Sequence, residues 1–195
     1  MFSINVDKLI KMTDVEEKCY SSTVNTILNK CDEQCRTIAV IGEGLSAFKM
    51  ASSFMESGKK VLFIDADIAT DIFISKYRLG KNLSGVTDYL DGEAKAEELI
   101  CKTNKSNLDV VFTGNIENVE IAYKIESRMP KLLANYAESY DLIVMLSDVD
   151  GDIAAFADAT VVVMERSEYN EAVAEDTVRL LDEKGCYVLG IVINE

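Results

Sequence analysis

The residues best placed to do chemistry lie between Ile38 and Asp67. An apolar run, Ile38-Ala39-Val40-Ile41, enters Gly42-Glu43-Gly44-Leu45-Ser46-Ala47, and a helix-length segment then leads to Gly58-Lys59-Lys60-Val61-Leu62-Phe63-Ile64-Asp65-Ala66-Asp67. A strand, a glycine turn, a helix and a second strand ending in acids is the layout with which α/β proteins hold phosphates at a helix N-terminus. Gly42, Glu43, Gly44, Leu45, Ser46 and Ala47 are therefore the candidate nucleotide-binding turn. Asp65 and Asp67 are the two acids that end the second strand. A phosphate-gripping loop would read Gly-x-Gly-Lys-Ser here, and Leu45 stands in the lysine's place.

The same turn satisfies a second pattern. Gly42-x-Gly44-x-x-Ala47, with Asp65 ending the next strand, fits the fingerprint by which NAD(P) or FAD is bound, the acid taking a ribose hydroxyl. Lys49, one turn into the helix, reads as a surface lysine. Ser46 has no histidine anywhere in the chain to activate it, which excludes a Ser-His-acid triad. The five cysteines, Cys19, Cys31, Cys35, Cys101 and Cys186, lack zinc-site spacing and read as reduced thiols, with Cys31 and Cys35 one turn apart on a helix.

These residues need a frame to hold them. Short apolar, often β-branched runs predict further strands at Leu108 to Thr113, Leu142 to Leu146, Thr160 to Met164 and Tyr187 to Ile193. Helices are expected from about residue 14 to Lys30, before the first strand, and near Glu93 to Cys101, Val119 to Glu138, Ile153 to Phe156 and Tyr169 to Lys184. The acidic run Glu93 to Glu98 then reads as a solvated helix face. Alternation of this kind predicts an α/β fold with a doubly wound, mostly parallel sheet. With 195 residues, one proline and no linker-like stretch, residues 1–195 read as a single domain.

A net charge of −14 disfavours nucleic acid and anionic lipid as partners and would attract a basic segment of another protein. No run approaches the ~20 apolar residues that span a bilayer, and Asp7 and Asp14 interrupt the N-terminus where a signal peptide would be apolar. The expectation is a cytoplasmic protein without direct membrane insertion.

Several blocks, in order through almost the whole chain, resemble the bacterial tyrosine kinases of capsular and exopolysaccharide synthesis, which belong to the deviant Walker class of P-loop ATPases. Gly58 to Asp67 is similar to that family's second-strand motif, and Gly85-Val86-Thr87-Asp88-Tyr89-Leu90-Asp91-Gly92 to its Gly-Leu-x-Asp-Tyr-Leu-x-Gly segment. Ser127, Met129, Leu132 and Leu133 before Tyr140-Asp141 keep the spacing into the Walker B strand, while Asp158 to Arg166 and Val188 to Asn194 look like the last two strands. The resemblance implies a P-loop NTPase-like three-layer sandwich. It also implies ATP and Mg²⁺ as cofactors where the loop is competent, Asp65 and Asp67 as the catalytic acids that help hold Mg²⁺ and position or deprotonate the acceptor hydroxyl, and a membrane chain-length adaptor or an active kinase paralogue as partner, which would recruit the chain to the inner face of the membrane.

The departures fall where the family does its chemistry. Leu45 replaces the lysine, Ser46 holds the place of the magnesium-binding serine, Ala47 replaces the threonine, and the loop before Gly42 is several residues short; an alignment anchored on the helix would instead put Glu43 at the lysine position. Leu146 replaces the Walker B acid, and Asp148, two residues later on the same side of an extended chain, is the candidate to substitute in part through a water-mediated magnesium contact. Lys18, Ser21 and Val24 stand where the family's ring-forming glutamate and arginines would be, Ala69 and Thr70 replace an arginine pair, and Asn115 to Ile121 replace a proline-rich motif. An oligomer of the ring type is therefore not expected. Tyr187 falls within the expected last strand, and the family's tyrosine-rich tail would follow it, where the sequence stops at Glu195. Three readings stay open: a non-catalytic binding or regulatory module with no cofactor, a weakly active ATP-dependent tyrosine kinase using Asp65 and Asp67, and an NAD(P)- or FAD-binding protein.

Overall fold

The computed structural model describes residues 3–32, 34–68, 83–114, 122–148 and 150–194. Ala69, Thr70, Val149 and the segment 115–121 lie outside them. Eight described strands form one sheet: β1 (Ser3–Ile4), β2 (Thr37–Ile41), β3 (Val61–Asp65), β4 (Cys101–Thr103), β5 (Leu108–Val111), β6 (Leu142–Ser147), β7 (Ala159–Glu165) and β8 (Val188–Asn194), in the order β1-β4-β5-β3-β6-β2-β7-β8. Every neighbouring pair is parallel except β4 with β5.

Two apolar layers explain why the central strands read as unbroken hydrophobic runs. Ile38, Val40, Val61 and Phe63 face α2 (Asp14–Lys30) and α3 (Gly44–Glu56), where Tyr20, Val24, Ile27, Phe48, Met50 and Phe54 are buried. Ala39, Ile41, Leu62 and Ile64 point the other way, into a layer containing Val86, Leu90, Met129, Leu132 and Leu181. Those last residues lie on α4 (Val86–Asp91), α5 (Ala122–Ala137) and α6 (Glu171–Glu183). A strand buried on both faces carries no polar alternation. The three-layer arrangement predicted from the sequence is the observed one.

Three local expectations are corrected. Glu93 to Cys101 is not a helix: Gly92 ends α4 in the left-handed region, a 3₁₀ turn follows at Ala96–Glu98, and Cys101 opens β4. The sheet supplies the reason, because Cys101 and Lys102 pair with Val110 and Asp109 in a hairpin while Tyr136 Oη donates to the Ala96 carbonyl at 2.8 Å. Nor do Cys31 and Cys35 share a helix, since α2 stops at Lys30 with Cys31 as its C-cap; the chain turns beyond it and brings the two Sγ atoms to 3.1 Å, both thiols free. Tyr187 precedes β8 rather than lying inside it, and is exposed. The short β1 and α1 (Val6–Leu9) went unpredicted because two to four residues carry no readable period.

Candidate functional site

The glycine turn is short. β2 ends at Ile41 and α3 begins at Gly44, leaving Gly42 and Glu43 as the whole connection. Gly42 takes φ +137° and presses against β7, where an added Cβ would lie 2.4 Å from the Val163 carbonyl oxygen. Only glycine tolerates that approach. Glu43 is the N-cap, so a carboxylate stands where the helix N-terminus would otherwise attract an anion.

The Ser46 hydroxyl and the Glu43 carboxylate are bonded within the protein. Ser46 Oγ donates to Glu43 Oε2 at 3.2 Å and accepts from Asn194 Nδ2 at 3.4 Å, while Asn194 also donates to Glu165 Oε1 at 2.9 Å. Ala47 is fully buried and Leu45 packs against the apolar layer beneath α2 and α3. Lys49 is not a surface lysine, which corrects the expectation. Its ammonium donates to Glu16 Oε1 at 2.6 Å, with side-chain exposures of 18% and 37%, and lies 5.9 Å from the centre of the Tyr20 ring. Glu16 in turn accepts from the Thr13 N–H at 2.8 Å, a capping box that opens α2. The first basic residue after the turn is thus committed to the α2–α3 contact. Hydrogen bonds from Lys49 and then from Thr13 hold the Glu16 carboxyl down at about 2.

The acids gather at the carboxyl ends of β3 and β6. Asp65, buried, ends β3 opposite Leu146, and Leu146 lies opposite Val40 of β2 on its other side. Leu146 is a buried member of the apolar layer on the α3 side. Asp148 does not continue the strand: its Oδ1 accepts from the Gly151 N–H at 2.9 Å and closes a turn. Burial raises the Asp148 pKa, the Gly151 N–H opposes this, and the charges of Asp152, Asp150 and Asp67 raise it further. Among the described residues no three acid or cysteine side chains converge as a metal-holding group.

Strand order decides the dinucleotide geometry. That fingerprint needs the acid on the strand beside the glycine turn, whereas here β6 lies between β2 and β3 and sets Asp65 two strands away. Of the positions tied to ring assembly, Val24 is buried in the core and Lys18 and Ser21 are exposed. The Glu16–Lys49 pair and the Ser46–Asn194–Glu165 chain were not anticipated; Thr13-x-x-Glu16 was a readable capping signal for the first, and nothing local announces the second.

No protein-family model matches the chain. It is 25% identical over 202 residues to the tyrosine-protein kinase CpsD of Streptococcus agalactiae, covering 97% of this chain and 88% of that protein. It is 28% identical over 166 residues to the tyrosine-protein kinase YwqD of Bacillus subtilis, covering 81% and 70%. Among solved structures, the kinase domain of the Escherichia coli tyrosine kinase ETK superposes with TM-score 0.78 at 18% identity, over 89% of this chain and 74% of that one. The septum site-determining protein MinD of Pyrococcus horikoshii, complexed with Mg-ADP, gives 0.63 at 21% identity, over 82% and 70%. These matches span most of the chain: it is similar in sequence to bacterial tyrosine kinases, and its fold is the P-loop NTPase-like one.

Proposed function

We propose that this chain is a tyrosine-kinase-like protein of capsular or exopolysaccharide production that has given up nucleotide-dependent phosphotransfer and acts as a cytoplasmic binding or regulatory module. Its partner is a chain-length adaptor at the inner membrane face or an active kinase paralogue. The observation that carries the reading is the two-residue turn. A loop that cradles phosphates needs several backbone N–H groups wrapped around the anion and a lysine facing it, and β2 passes to α3 through Gly42 and Glu43 alone.

The residues around the turn do not fit a magnesium-bound triphosphate. Glu43 sets negative charge at the α3 N-terminus, Leu45 brings none, and Lys49 is held by Glu16. Asp65 and Asp67 remain, yet stabilising the charge of a transferring phosphoryl group depends on cations facing it. The strand order weighs against the NAD(P) or FAD reading. Incubation with γ-labelled ATP and Mg²⁺, alone and with a tyrosine-rich peptide, is expected to leave both unlabelled; phosphotyrosine on either would refute the proposal.

A further inference from the structure

A groove of about 670 Å³ runs between α6 and β8, apart from the turn. Val178, Val188 and Ile191 give it apolar walls, and Tyr169 and Tyr187 stand along it 43% and 65% exposed. Ring surface left in water is recovered when a partner covers it. The charged lining is mostly of one sign: Glu171, Glu175 and Asp182 against Arg179, which is paired with Asp176 at 2.7 Å. Along α6 five acids accompany that single base.

We propose that this groove docks a short basic segment of a partner protein, its apolar side chains against Val178, Val188 and Ile191, its lysines or arginines over the tyrosine rings and among the carboxylates. A second copy of this chain is a poor occupant, because a two-fold pairing would set one acidic lining against another. Addition of a strand to β8 is opposed too. Lys30 donates to the Leu189 carbonyl at 2.9 Å and the β7–β8 register shifts at Thr160/Val161, two features that spoil an open sheet edge. A peptide lying in the groove is left. The inference stands whether or not the Gly42 turn binds nucleotide.

Fluorescence polarisation with a labelled amphipathic leucine–lysine peptide of about fifteen residues tests it. Saturable binding is expected, weakened by about tenfold or more in Tyr169→Ser/Tyr187→Ser and separately in Glu171→Lys/Glu175→Lys. A control pair elsewhere on the surface, Glu93→Lys/Glu138→Lys, should leave it within about twofold. Absence of saturable binding, equal binding of a scrambled peptide, or equal weakening by the control pair would overturn the proposal. So would a dimer in sedimentation equilibrium that Tyr169→Ser/Tyr187→Ser dissociates, which would make the groove a self-association surface.

Discussion

At the scale of single residues, the site is explained by what its polar groups are already bonded to. Lys49 is the one base near enough in sequence to replace the missing lysine, and the Glu16–Lys49 pair removes it. With both side chains partly solvated, a double-mutant cycle of Glu16→Gln and Lys49→Gln should give a coupling of about 0.5–1 kcal/mol, screened relative to a dry pair. Its pH dependence has a definite sign. A carboxyl held below its ordinary value adds stability that is complete above that value and lost as pH falls through about 2. The stability gap between wild type and Glu16→Gln should therefore be constant at neutral pH and close on acidification. Asp148 behaves oppositely. Its pKa is raised, by burial first, so its ionised form costs stability that is absent below the ordinary carboxylate range. Asp148→Asn keeps an acceptor for the Gly151 N–H and should raise Tm at pH 7 by about 2–4 °C for each kcal/mol recovered, an advantage that disappears in melts below about pH 4.

The decisive element is the connection from β2 to α3. Because Gly42 combines a positive φ with backbone contact to Val163, Gly42→Ala should cost about 2 kcal/mol or more in urea unfolding, by strain and displacement of β7. Restoring one residue should not restore the loop. Leu45→Lys is expected to show no thermal shift with ATP and Mg²⁺, since a lysine at the second position of α3 still lacks a wrapped backbone to hold phosphates beside it. Strands β2, β3 and β5 to β8 were legible in the sequence, because strands buried within a sheet leave long apolar runs. The Lys49 pairing was not, because it joins two helices distant in the chain. The β4 hairpin was missed for a related reason: Ala96 to Cys101 has helix-compatible composition, and only pairing with Val110 and Asp109 makes its end a strand.

For the whole molecule, the fold and the chemistry have separate records. The three-layer core includes Leu146, while Glu43 caps α3 and Asp65 ends β3. Strand order was the feature hardest to read from the chain, and it separates the two nucleotide geometries by placing β6 between the turn and Asp65. The most direct test is calorimetric titration of the purified chain with ATP in excess Mg²⁺. No saturable heat is expected up to about 1 mM nucleotide, a binding free energy weaker than about −4 kcal/mol. A magnesium-dependent Kd of about 10 μM would contradict it.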